Sequence, residues 1–590
     1  MLSFLKYVLA TLVGLVLFCI VGFLLLIGIA AATSDDEVAV KSNSVLKISL
    51  DRPLLERDPD DPFEGLDLPL VQQQEGIGLY ELREALKKAA KDDRIKGVYL
   101  DVSAVQGGYA QIEEVRQMLL EFKESGKFIT TYSETYSEGA YLLAAVADDI
   151  WMNPAGGLEF NGLMAETPFF KGMLDKIGVE PQVIKVGDFK SAAEPFTNTE
   201  YSAPNEAQIA SFLNSIYDNY LREVSESRQI PVAELRRISD ELLIQLPEDA
   251  LKHKLVTHLG YFDEVLTDLR QRLSVEEDDD IPFVTLTKYK KARLDQDKEE
   301  VNTSRDRIAV IFASGEIQGG EGSESVIGSE RIARALRDAR LDDKVKAVVL
   351  RINSPGGSAL ASDVMWREVK LTSDVKPIIA SMSSVAASGG YYMAMACDTI
   401  VAQPTTITGS IGVIGIIPNA QKLLNDKLGI TTDLVETSEH ADLINVTRPL
   451  TEFERSVLQR QVNATYNEFT QKAATGRNLP LDSLQAMAGG RVWSGAEAEA
   501  RGLVDVLGGL DSAIAIAANA AGLEQDKYRV RFLPEQKNFL EELMNTSEEE
   551  FHARILRYQL GEYYPLIQSV QQLKHWQGIQ TRLPFELIIR

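Results

Sequence analysis

Residues 406–415 read "TITGSIGVIG", with Ser410 between a glycine and the start of an apolar run. A serine hydroxyl attacks a carbonyl only when a base beside it takes its proton. The chain of 590 residues holds five histidines, at 253, 258, 440, 552 and 575. None falls within residues 411–439, where a Ser-His-Asp arrangement on the helix after the serine would want one. His440 reads as a surface residue. A lysine can replace histidine if it is deprotonated, which burial favours because desolvation penalises its charged form. Lys190, in the segment "GDFKSAAEPF" (187–196), has apolar neighbours suited to that role. Gly356 and Gly357, in "NSPGGS" (353–358), are candidate oxyanion donors through their backbone amides. Ser354 and Ser358 read as turn-capping residues rather than rival nucleophiles. Ser388, Gly389 and Gly390 read as a close helix–strand contact, and Ser191 as a local backbone partner.

The link between Ser410 and Lys190 comes from internal repetition. "LREALKKAAKDDRIKGVYLDVSAVQGG" (82–108) aligns with "IARALRDARLDDKVKAVVLRINSPGGS" (332–358) at an offset of 250. At the same offset "GAYLLAAVADDIWMNP" (139–154) meets "GGYYMAMACDTIVAQP" (389–404). Ser410 then faces Phe160 or Asn161, and "NSPGG" faces "SAVQG". Lys190 faces Ala441. One copy keeps the serine and the other keeps the lysine, so a single site assembled from both copies is expected. The acid pairs Asp92–Asp93 and Asp342–Asp343 recur between a helix and a strand, which reads as a solvated loop rather than a metal site.

The elements that must position these residues alternate amphipathic helices with apolar strands. That pattern predicts an α/β fold with parallel sheets and helices outside, and ligands at the carboxyl ends of the strands. The expected organisation is an N-terminal anchor (1–33), a first repeat (45–272), a charged linker with one short strand (273–306), a second repeat (307–525) and a helical extension (526–590). Tyr7 to Ala32 is a run of 26 uncharged residues, longer than the ~20 that span a bilayer. Lys6 before it and Asp35, Asp36 and Glu37 after it orient the body away from the cytoplasm. A net charge of −26 disfavours nucleic acid as a partner. With one of the two cysteines inside the apolar run, no disulfide joins soluble segments. No Cys/His cluster has zinc spacing, and neither metal nor cofactor is expected.

The motifs "NSPGGS", "SVAASGGYYMA", "ITGSIGVIG", "GDFKSAAEPF" and "GRVWSGAEAEARGLVDVLGGLDSA", on a duplicated scaffold, resemble the long-form members of peptidase family S49. The resemblance implies tandem ClpP/crotonase-like domains behind an N-terminal transmembrane helix. It implies a serine protease with a Ser/Lys dyad, Ser410 as nucleophile and Lys190 as general base, and an oxyanion contribution from Gly357 with Gly356 nearby. It further implies apolar peptide substrates, the residual signal peptides left by signal peptidase. A homotetramer at the bacterial inner membrane, with its catalytic body in the periplasm, completes the expectation. Two other readings stand beside it: a crotonase-type enzyme acting on acyl-thioesters, and a non-catalytic scaffold.

Overall fold

The 250-residue offset becomes two sheets with the same strand order. The computed structural model describes residues 6–22 apart from 8 and 19, and residues 40–58, 76–293, 304–524, 527–536, 579–582 and 588–589. The first sheet runs Phe283–Thr285, Ser44–Ser49, Ile95–Asp101, Phe128–Tyr136, Asp149–Leu158 and His258–Leu259, all parallel. The second runs Arg529–Leu533, Arg307–Ser314, Val345–Ser354, Ile378–Ala387, Thr399–Ala402 and Val506–Leu507, again parallel, and adds Ile407–Gly409 parallel to Ile378–Ala387, with Val492–Ser494 antiparallel beyond it. Central strands such as Val345–Ser354 are buried on both faces, which is why "VKAVVLRI" is nearly continuous apolar sequence. The helices Leu79–Lys91 and Ser329–Leu341 bury matching stripes, Leu82, Ala85, Leu86 and Ala89 in one and Ile332, Ala335, Leu336 and Ala339 in the other. Lys127 and Lys376 donate to the last carbonyls of these helices, and Asp92 pairs with Arg94 at 2.9 Å.

Two boundaries differ from the expectation. Phe283–Thr285 is an edge strand of the first sheet and the helix Leu286–Lys291 follows it, burying Tyr289. The first unit therefore extends into the segment read as a linker. Arg529–Leu533, assigned to the helical extension, fills the same edge of the second sheet. Both strands are short, and "RVRFL" carries charge on alternate positions, so neither stands out as core sequence. Residues 537–578, read as helical, lie outside the described residues. Among the described residues no helix is long and apolar enough to cross a membrane. The expected span continues through residues 23–32, which lie outside them.

The two units are locked by a buried ion cluster. Arg351 of the second copy is fully buried. It donates to Glu56 at 2.7 Å and to both carboxylate oxygens of Glu114 at 2.8 and 2.9 Å, both residues from the first copy. Its remaining donor capacity reaches Ser381 at 3.0 Å. A third sheet also joins the copies. Its order is Val326–Gly328, Glu316–Gln318, Gly356–Ser358, Ile579–Arg582, Val413–Asn419 and Glu180–Val186. The last pair is antiparallel and joins the second copy to the first, in register from Val413↔Val186 to Asn419↔Glu180.

Candidate active site

Two neighbouring strands of the second sheet end side by side. Ile378–Ala387 leads into Ser388, and Ile407–Gly409 leads into Ser410. Ser388 and Ser410 both have positive φ, 56° and 50°, a conformation that non-glycine residues adopt at a cost and that clusters at functional sites. The Ser388 amide donates to the Gly409 carbonyl at 2.8 Å, and the Ser410 amide to the Arg491 carbonyl at 2.7 Å. The serine is thus fixed by backbone on both sides.

The lysine arrives from the first copy along the third sheet. After Val186 the chain turns at Gly187, and the Phe189 amide donates to the Gly489 carbonyl at 3.1 Å. Gly490 (φ 83°) lies directly against the lysine backbone. A Cβ there would stand 2.7 Å from the Lys190 Cβ. Lys190 Nζ lies 3.0 Å from Ser410 Oγ, 2.8 Å from Ser388 Oγ and 3.1 Å from the Ser410 carbonyl oxygen. Lys190, Ser388 and Ser410 have no exposed surface. Burial pushes the Lys190 ammonium well below the ordinary lysine range. A neutral amine has two N–H donors and one lone pair. The carbonyl can only accept, so one serine hydroxyl accepts the second N–H and the other is free to donate to nitrogen. That arrangement can draw a proton from Ser410.

Gly356 and Gly357 lie on the strand facing this corner. Both have positive φ, 101° and 152°. A Cβ on Gly356 would stand 2.8 Å from the Gly389 amide nitrogen and 2.1 Å from the Thr581 carbonyl oxygen. The Gly356 amide donates to Ser354 Oγ at 3.2 Å, so in this state that donor is engaged and the glycine's absence of a side chain is what the packing uses. The segment Ile579–Arg582 runs antiparallel to both Gly356–Ser358 and Val413–Asn419. Thr581 is fully buried, and its hydroxyl donates to the Gly357 carbonyl at 3.2 Å.

The corresponding corner of the first copy is filled. Phe160 packs against Tyr141 and Tyr220. Glu138, the counterpart of Ser388 at offset 250, accepts from the Asn161 and Gly162 amides at 2.7 Å each. On the lysine side, the second copy offers only the exposed segment around Ala441. His440 is half-exposed and stacks on Phe453.

Residues 121–276 and 370–524 match Peptidase family S49. "Serine protease SPPA, chloroplastic" of Arabidopsis thaliana is 38% identical over 460 residues, covering 77% of this chain and 67% of that protein. "Protease 4" of Salmonella typhi is 35% identical over 76% of this chain and 72% of its own length. "Protease 4" of Haemophilus influenzae is 33% identical, over 84% and 81%.

The chain belongs to peptidase family S49.

It is a serine protease. Among solved structures, a point mutant of ClpP1 from Listeria monocytogenes aligns with 35% of this chain and 94% of its own, at 13% identity and a TM-score of 0.24. In this S49 peptidase three features escaped the sequence reading. Ser388 touches the lysine rather than only easing a helix against a strand. Its replacement by Glu138 in the first copy was a usable signal. Gly489 and Gly490 admit the lysine loop. Ser191, read as a local partner, also donates to Asn205 Oδ1 at 2.8 Å, part of a buried network behind the lysine.

Proposed function

We propose that this S49 serine protease works through a Ser410/Lys190 dyad assembled from its two repeats, each a ClpP/crotonase-like unit. The observation that carries the proposal is the 3.0 Å contact between Lys190 Nζ and Ser410 Oγ in a fully buried corner. Ser410 Oγ attacks the scissile carbonyl as neutral Lys190 takes its proton. The Gly357 amide stabilises the oxyanion. The Lys190 ammonium then protonates the leaving amine, and Lys190 activates the water that releases the acyl group. Ser388 steadies Nζ throughout.

The substrate is an extended apolar peptide that adds as an antiparallel strand between Gly356–Ser358 and Val413–Asn419, with main-chain hydrogen bonds on both sides. The chain's own Ile579–Arg582 strand supports this geometry. Residual signal peptides fit that description. The proposed setting is a bacterial inner membrane, with residues 7–32 as anchor, the body in the periplasm and a homotetrameric assembly. Hydrolysis of a short apolar fluorogenic peptide by wild type, Ser410→Ala and Lys190→Ala tests the reading. It requires both variants to be folded and inactive. An active Lys190→Ala places the base elsewhere.

A further inference from the structure

We infer that Gln208 is a positioning residue that holds the lysine-bearing loop of the first repeat in register with the serine-bearing turn of the second; this rests on the dyad proposed above. Gln208 lies in the first turns of the helix Ala203–Arg228 and is completely buried. Its Nε2 donors are shared among the Phe189 carbonyl at 3.1 Å, Ser191 Oγ at 3.0 Å and Asn205 Oδ1 at 2.9 Å. Phe189 and Ser191 are the residues on either side of Lys190. Its Oε1 accepts from the Val492 amide at 3.1 Å. Val492 follows Arg491, whose carbonyl holds the Ser410 amide. One side-chain amide therefore spans both halves of the dyad, using donor and acceptor together.

The surrounding bonds make the glutamine a keystone rather than filler. Ser191 Oγ donates to Asn205, and Asn205 Nδ2 donates to Glu194 at 2.9 Å. Glu194 also receives the Ser202 amide and hydroxyl. This network fixes the loop within the first repeat, but it does not reach the second. Gln208 makes that crossing. A buried amide whose bonds are all made specifies one geometry; losing it takes the acceptor from the Val492 amide and leaves the Phe189 carbonyl only the longer bond from Ser191 Oγ at 3.3 Å. Displacements of the order of 1 Å between reacting groups cost about a hundredfold in rate.

The other charged groups around the loop are Asp188, which is exposed, Glu194, Lys185, whose Nζ donates to the Lys190 carbonyl at 3.3 Å, and Arg491, whose guanidinium lies 5.0 Å from the Phe189 ring centroid. Against that background a new carboxylate at position 208 would favour the ammonium form of Lys190.

The test is the rate at which a fluorophosphonate probe labels Ser410 in the full chain, measured across pH, beside peptide kinetics. Gln208→Leu should label at least tenfold more slowly at every pH, with a matching fall in kcat and little change in KM. Gln208→Glu, which keeps an acceptor for Val492, should move the acid limb of the profile to higher pH and recover towards wild type when alkaline. Wild-type rates in Gln208→Leu, or an unmoved acid limb in Gln208→Glu, overturn the inference. If Gln208→Leu fails to fold, the Gln208→Glu limb decides. Labelling of Lys190→Ala at the wild-type rate would instead refute the dyad itself, a distinct outcome.

Discussion

Lys190 Nζ and Ser410 Oγ are 3.0 Å apart across 220 residues of sequence and from different repeats. The distance is set by backbone contacts on both sides, the antiparallel pairing of Glu180–Val186 with Val413–Asn419 and the seat of Phe189 on Gly489.

In the proposed dyad the base must be neutral to act, so activity is expected to rise with pH through the folded-state value of Lys190, which burial holds well below the ordinary lysine range. Lys190→Arg keeps the charge and cannot deprotonate near neutrality. It should lose roughly 10²–10⁴-fold in kcat, the usual worth of a general base. Measured pH–rate profiles of both proteins decide the point.

The same burial predicts a stability effect. Between the depressed folded value and the unfolded value of about 10.4, the unfolded chain binds more protons at this site. Stability therefore rises with pH across that window, by at most about 1.4 kcal/mol per pH unit from this group. Lys190→Met removes the cost. It should raise Tm at neutral pH, by an amount that shrinks as pH approaches 10. Melting curves at several pH values check it.

Gly490→Ala puts a methyl group against the lysine loop at a positive φ. The expected result is a loss of activity of about a hundredfold, the scale of a ~1 Å misplacement, with the protein still folded by circular dichroism.

Much of this arrangement is legible in the sequence because parallel strands covered on both faces demand continuous apolar runs. The repeat of "KGVYLDV" in "KAVVLRI" therefore meant two equivalent sheets. The reciprocal loss of serine and lysine was legible for a different reason: a site shared between copies leaves complementary gaps. Phe283–Thr285 answers to the short strand read in the charged linker, though not its place in the first sheet; Arg529–Leu533 was not legible, because an edge buries little and tolerates charge. Gln208 was invisible for its own reason. Its neighbours Phe189 and Val492 lie 19 and 284 residues away, and a glutamine inside a helix reads as solvent-facing until the packing is known.

Arg351→Leu leaves Glu56 and Glu114 buried without their cation. Breaking a buried ion cluster by removing one partner costs about 3–5 kcal/mol. The variant should unfold at distinctly lower urea concentration and lose activity as the two repeats separate, which parallel unfolding and peptidase assays would register.

A chain ending at residue 578 lacks the strand that now lies between Gly356–Ser358 and Val413–Asn419. It should hydrolyse peptides with a higher kcat/KM than the full chain. An unchanged value would mean that this strand is not in the substrate's path.

The most direct test of the split dyad is mass spectrometry of the full chain after reaction with a fluorophosphonate, on wild type and Lys190→Ala. The dyad predicts a single adduct on Ser410 in wild type and almost none in Lys190→Ala under the same conditions. An adduct on another serine, or equal labelling of Ser410 without the lysine, would contradict it.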